Sequence, residues 1–116
     1  GVHLDESIGA IQRALEIEPE NGYFLDSLGW AYYKNGWYEK ALLELKSAVA
    51  AVPDDPVIQE HLGDVYMRLR RLRKARQAWE KSLSLKPRNI AVEEKLRKIQ
   101  ALMEEAGHGA PQLWRP

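Results

Sequence analysis

Apolar residues recur along this chain at intervals of three and four, and the pattern breaks at regular places. Leu4, Ile8, Ile11 and Leu15, with Ala14 beside them, predict an amphipathic helix over 4–18 that stops at Pro19. Phe24, Leu25, Leu28, Ala31 and Tyr32 predict a second helix over about 22–35, and Tyr38, Ala41, Leu42, Leu45, Ala48 and Val49 a third over 38–51. Ile58, Leu62, Val65, Tyr66 and Leu69 mark a fourth, and Leu72, Ala75, Ala78, Trp79 and Leu83 a fifth. Val92, Leu96, Ile99 and Met103 stripe the last. Asn21, Asp55 and Asn89 stand where side chains can cap helix starts, with Pro56 fitting the first helical position. Asn35-Gly36 suits a helix end, and Pro53 and Pro87 stop the helices before them.

These elements repeat with a period of 34. Asp26-Ser27-Leu28-Gly29-Trp30-Ala31-Tyr32-Tyr33 returns as Glu60-His61-Leu62-Gly63-Asp64-Val65-Tyr66-Met67, and the prolines keep time at 19, 53 and 87. The expected organisation is one helical domain over 1–106: a partial repeat at 4–18, repeats at 21–53 and 55–87, and a closing helix at 89–106. A flexible tail over 107–116 is expected to follow. Glycine inside a helix costs about 1 kcal/mol against alanine. Gly29 and Gly63 therefore predict close helix crossings, with Ala41 and Ala75 as the matching small surfaces. Arg97 takes the glycine position in the last helix, as suits an end helix with nothing packed beyond it.

Charge adds a polarity. The chain is neutral overall, but 1–55 carry ten acids and four bases, net −6, and 56–116 carry seven acids and thirteen bases, net +6. Such asymmetry could favour head-to-tail contact. The absence of cysteine excludes a disulfide framework and a thiol nucleophile. No apolar run reaches the roughly 18 residues a membrane helix needs. None of this assigns a compartment.

Leu25, Leu28, Gly29, Tyr32, Ala41, Leu45, Ala48 and Pro53, with Leu62, Gly63, Tyr66, Ala75, Trp79 and Pro87 one period later, resemble the tetratricopeptide repeat (TPR) pattern. Ser7, Ile11, Ala14 and Pro19 match the second half of a preceding repeat. The resemblance covers about 4–106, and the Leu-Gly-Trp-Ala-Tyr-Tyr wording is similar to bacterial members. Three residues depart from the pattern: Gln59 stands in the place of Leu25, Ser82 in that of an alanine, and Arg70 in that of Gly36. The resemblance implies an all-α, right-handed superhelix of antiparallel helix pairs. It also implies a non-catalytic role, binding a peptide or partner helix in the concave groove.

Helical spacing places Tyr23, Asp26, Trp30, Tyr33 and Lys34 beside the packed stripe of the second helix. Val57, Glu60, Asp64, Met67 and Arg68 take the same place on the fourth, and Glu94 and Lys98 on the last. Trp30 and Tyr33 are candidate aromatic anchors, and Asp26, Glu60 and Asp64 would suit a basic or N–H-rich ligand. Some chaperone-binding members of the family grip a terminal carboxylate with a lysine and an asparagine that align with Asp26 and Trp30, and an acid there excludes that mode. An alternative is a scaffold that self-assembles through its ends, using Leu4, Ile8 and Ile11 and the tail residue Trp114. A third reading is RNA or anion contact at the basic turn 68–76, which holds Arg68, Arg70, Arg71, Arg73, Lys74 and Arg76. His61, Glu60 and Asp64 share a helix, but no second histidine stands at ligand spacing, and no phosphate loop or nucleophile motif occurs. The expectation is no catalysis, metal or cofactor, and a protein or peptide partner rather than nucleic acid or membrane.

Overall fold

The computed structural model describes residues 2–109, with side chains described over 5–107. Six helices follow one another: α1 (Val2–Ile17), α2 (Gly22–Lys34), α3 (Tyr38–Ala51), α4 (Pro56–Arg68), α5 (Leu72–Leu85) and α6 (Ile90–Gly109). Among the described residues there is no strand. The pairs α2/α3 and α4/α5 pack most closely, and each pair then stacks on the next. The result measures 55 × 30 × 23 Å with a radius of gyration of 16.2 Å, whereas a compact chain of this length would have about 13 Å. It is an all-α superhelix of antiparallel helix pairs.

The two kinds of helix start differently. Asn21 Oδ1 accepts from the Tyr23 and Phe24 amides at 3.0 and 3.1 Å, and Asp55 Oδ1 from Val57 and Ile58 at 2.8 and 3.1 Å. These side chains satisfy the amides that a helix start leaves unpaired. α3 and α5 begin at Trp37 and Arg71 without a side-chain cap. There the preceding helix end makes the turn. The Trp37 amide donates to Tyr32 O at 2.9 Å and Gly36 to Tyr33 O at 3.0 Å. One period on, Arg71 donates to Tyr66 O at 2.9 Å and Arg70 to Met67 O at 3.0 Å. This is a Schellman motif twice over, and it requires a left-handed residue at its second position. Gly36 provides φ 82° without strain, and Arg70 takes φ 60° in the same place. The turn keeps its shape without glycine, at a cost of about 1–2 kcal/mol for an L side chain there.

The main core joins Ala41, Leu42 and Leu45 of α3 to Leu62, Val65 and Tyr66 of α4, Ala75, Ala78 and Trp79 of α5, and Val92 and Ile99 of α6. A smaller cluster joins Ile8 to Leu28 and Ala31, with Ile11 and Leu15 beside them. Two residues of the expected self-association face are engaged here. Ile8 is 9% exposed, and Ile11 packs with it against α2, because the α1 stripe matches the outer side of the first full repeat. The Leu4 side chain and Trp114, the other residues of that expectation, lie outside the described residues, as does most of the 107–116 tail. α6 continues through Gly107 to Gly109, beyond the expected end at 106. Two glycines lower helix stability without ending it.

Two glycines allow close approach, but the surface they meet differs from the expected one. A Cβ on Gly29 would sit 2.7 Å from Leu45 Cγ and 3.3 Å from Ala41 O. A Cβ on Gly63 would run into the Trp79 ring at Cδ1, Nε1 and Cγ. The vacancy is thus filled by the residue four places after the alanine, Leu45 or Trp79, rather than by the alanine itself. Gly22 makes a third approach, its absent Cβ 3.1 Å from Ala51 Cβ and 3.3 Å from Ala48 O. The polar departures are also accommodated. Gln59 is buried and its Nε2 donates to Pro53 O at 3.1 Å, while Ser82 Oγ donates to Pro56 O at 2.7 Å. Gln59 ties α4 to the turn before it and Ser82 ties α5 to the first residue of α4, so neither leaves an unpaired buried group.

Candidate functional site

α2, α4 and α6 line one side of the stack, and three contacts between them follow a single rule. His61 Nδ1 and Asp26 Oδ1 are 2.7 Å apart, the Arg68 Nε–H donates to Tyr33 Oη at 3.3 Å, and Lys95 Nζ donates to Glu60 Oε2 at 2.7 Å. Each pair is 35 residues apart, one period plus one. Asp26 and Glu60 are equivalent positions, as are His61 and Lys95. The first two repeats therefore share an acid–base rung with different chemistry.

The expected groove acids are consequently engaged. Asp26 is held by His61. Lys95 bridges Glu60 and Asp64, the latter at 2.8 Å, and Asp64 also accepts from Trp79 Nε1 at 3.1 Å. Burial pushes the Asp64 carboxyl above its usual value, although the Lys95 bond and charge pull the other way. For Lys95 burial is again the largest influence and acts downward, but the bonds to Asp64 and Glu60, with their charges, together leave it above the usual lysine value. A free acidic patch awaiting a basic ligand is not what the fold presents.

Trp30 is also occupied. Its ring lies 4.5 Å from that of Tyr33 at 10° and 3.9 Å from that of His61 at 17°. Two near-parallel rings this close cannot share one indole face without overlapping, so both faces are covered and only an edge remains. The expected anchor is the middle of a stack that joins α2 to α4. Trp37, in the turn, is 43% exposed and leans on Tyr32 with Lys40 Nζ 5.0 Å over its ring.

Beside the stack opens a concavity of about 460 Å³ lined by Tyr33, Tyr38, Asp64, Met67, Arg68, Arg70, Trp79 and Lys95. Of the residues expected from helical spacing, it gathers Tyr33, Asp64, Met67 and Arg68. Asp26, Trp30 and Glu60 support it from behind through His61 and Lys95. Tyr23, 58% exposed at the start of α2, and exposed Lys34 at its end do not line it. Tyr38, Arg70, Trp79 and Lys95 were missed. Lys95 could have been found by adding 35 to Glu60. Tyr38 opens α3 and was assigned to its packed stripe, and Arg70 lies in the turn after α4, where a stripe argument does not reach. Of the basic run 68–76, only Arg68 and Arg70 face this space. Among the described residues, no group of three or more His, Cys, Asp or Glu could hold a metal ion, and no helix is long and apolar enough to cross a membrane.

Three repeat models match the sequence, one described as TPR repeat over 29–69 and two described as tetratricopeptide repeat over 10–43 and 57–89. Together they span 10–89 without a gap. The chain belongs to the tetratricopeptide repeat family. Among solved TPR structures, the first TPR of Spaghetti (RPAP3), bound to the HSP90 peptide SRMEEVD, is 24% identical with a TM-score of 0.85, covering 88% of this chain and 81% of its own. The first TPR domain of human RPAP3 is 22% identical with a TM-score of 0.84, covering 92% and 84%. The Sgt2 TPR domain from Aspergillus fumigatus is 25% identical with a TM-score of 0.86, covering 94% and 74%. No curated protein matches the chain. These likenesses concern the TPR fold.

Proposed function

We propose that this TPR domain is a non-catalytic interaction module that receives a peptide or partner helix in the groove formed by α2, α4 and α6. The observation that carries this reading is the open concavity between the aromatic stack and the Glu60–Lys95–Asp64 cluster. It combines apolar area on Tyr33, Tyr38 and Met67 with exposed guanidinium groups, the mixture that peptide grooves use for anchoring and orientation. Its walls are pre-organised, because the rungs and the ring stack fix the side chains before a ligand arrives. A neighbour of the same fold is solved with a peptide bound, which supports the class of ligand.

The test is selection of binders from a random dodecamer peptide display library on the folded chain. Amide shift changes of the best binder are then mapped in ¹H–¹⁵N NMR spectra. Perturbations centred on Tyr33, Asp64, Met67 and Arg68 are expected. Perturbations confined to the outer faces of α3 and α5, or no selected peptide at all, would overturn the groove reading.

A further inference from the structure

The cations of the groove are unequally free. Lys95 is neutralised by Glu60 and Asp64. Of the basic run, Arg71 lies 3.5 Å from Glu39, Arg76 bonds Gln100 at 3.5 Å and has Glu80 at 4.0 Å, and Lys74 sits over the Tyr66 ring at 5.8 Å. Arg68 has an uncharged partner, Tyr33, which takes its Nε–H and lies under its guanidinium, 6.0 Å from the ring centre. The Arg70 side chain has neither a hydrogen bond nor an ion pair among the described residues. Both line the concavity, where the charged residues are three bases and one acid.

A second, independent observation concerns Arg70. It occupies the left-handed position that the preceding repeat gives to Gly36, with φ 60° against 82°. An arginine held in strained backbone, without a partner, at the mouth of a concavity is the kind of outlier from which a role can be inferred.

We propose that the end of the groove next to the α4–α5 turn is an anion subsite for an acidic peptide. A partner's Asp or Glu carboxylate is received by Arg68 and Arg70, while its neighbouring apolar side chain packs on Tyr38 and Met67. Planar guanidinium groups match a carboxylate in shape and charge. Both terminal amino groups of Arg68 are left over once its Nε–H is used by Tyr33. The subsite rests on the groove reading above, and it reverses the ligand charge that Asp26, Glu60 and Asp64 suggested. It also lies apart from Asp26 and Trp30, so the terminal-carboxylate mode excluded there is not reopened. A polynucleotide is the poorer fit. Phosphate tracking needs a run of available bases, and here three of the four remaining bases of the run, Arg71, Lys74 and Arg76, are turned to Glu39, Tyr66, Glu80 and Gln100.

The test uses Arg70→Gly alone and combined with Arg68→Gln. Arg70→Gly suits the backbone, so it should raise the urea midpoint while lowering affinity, a combination misfolding cannot produce. Peptides selected by the wild type should be rich in Asp and Glu. Fluorescence anisotropy with the best of them should show weakening of about tenfold or more in the double variant, the scale of one lost charged hydrogen bond. Selected peptides that are neutral or basic, or acidic ones bound equally by the double variant, would overturn the subsite and leave the groove standing. No selected peptide would remove both. Tighter binding of a twelve-nucleotide oligouridine than of any peptide, or self-association in sedimentation abolished by the double variant, would replace the peptide by RNA or by a second copy.

Discussion

The repeats 21–53 and 55–87 share a backbone and differ in nearly everything placed on it. Where the first has Gly36, Leu45 and an Asp26–His61 rung, the second has Arg70, Trp79 and a Glu60–Lys95 rung. Where the first has Leu25 and Ala48, the second has Gln59 and Ser82, bonded to the carbonyls of Pro53 and Pro56. The first repeat is made mainly of packing and relaxed turns. The second adds buried polar contacts, two acids bridged by Lys95 of α6 and a strained arginine, and it contributes most of the residues around the concavity. The comparison teaches that the solenoid needs only a few residues per period, and that the remaining positions are free to build a site.

The largest expected effect tests the two fillers of the glycine vacancies. Trp79→Ala should cost about 3–5 kcal/mol, because it opens a cavity and also removes a donor to Asp64 and to Glu60 O. Leu45→Ala should fall lower within the 2–5 kcal/mol range of aliphatic truncations. Urea unfolding of the pair decides this, and equal losses would mean the indole hydrogen bonds add nothing.

The rungs come next. Lys95→Met should cost about 1.5–3 kcal/mol at pH 7, the scale of hydrogen bonds to charged groups. The sign with pH follows from the directions of the two shifts. Lys95 is raised in the folded state, so its contribution is fully present below the ordinary lysine value of 10.5 and is lost as pH rises past it. Asp64 is raised as well, so its effect on stability is most favourable below its ordinary 3.8 and declines as pH rises. Without Lys95 the carboxyl rises further, and the deficit of the variant should shrink as pH falls from 7 toward 4. Thermal melts at both values measure it, and a pH-independent deficit would remove the charge argument.

The smallest effect is the most diagnostic. Arg70→Gly should stabilise by about 1 kcal/mol and Gly36→Arg destabilise by a similar amount, since left-handed backbone costs an L residue about 1–2 kcal/mol. Opposite signs at equivalent positions would show that the turn geometry belongs to the fold and the arginine to something else. Denaturation midpoints of the two variants suffice.

The apolar stripes made much of this molecule legible before its structure. Leu28, Leu45, Ile58, Val65, Trp79, Val92 and Ile99 are all buried, and each was placed by helical spacing alone. The site was less legible, because a stripe says which face a residue occupies and not which residue of the next helix it meets. Asp26, Glu60 and Asp64 were on the expected side, but His61 and Lys95 lie a period and one residue from Asp26 and Glu60, and Lys95 lies 31 residues from Asp64. Trp30 was placed beside the groove correctly, yet its availability depended on two rings from different helices. Ile8 and Ile11 looked unpartnered because the matching surface on α2 was not assigned to them. Arg70 was seen as a missing glycine, and only the backbone angle shows that the turn was kept.

The offset of 35 sets limits on how such a chain can change. A rung survives exchange of Asp–His for Glu–Lys because side chains of different reach span the same gap. It does not survive a change in the number of residues between its ends. One residue deleted from the α3–α4 turn would leave every helix intact and move His61, Arg68 and Lys95 in the numbering together, yet Asp26 and Tyr33 would stay behind. The groove would lose its joints between α2 and α4 while keeping the one between α4 and α6. Point substitution can therefore vary this surface freely, whereas insertions and deletions should be tolerated only in whole repeats.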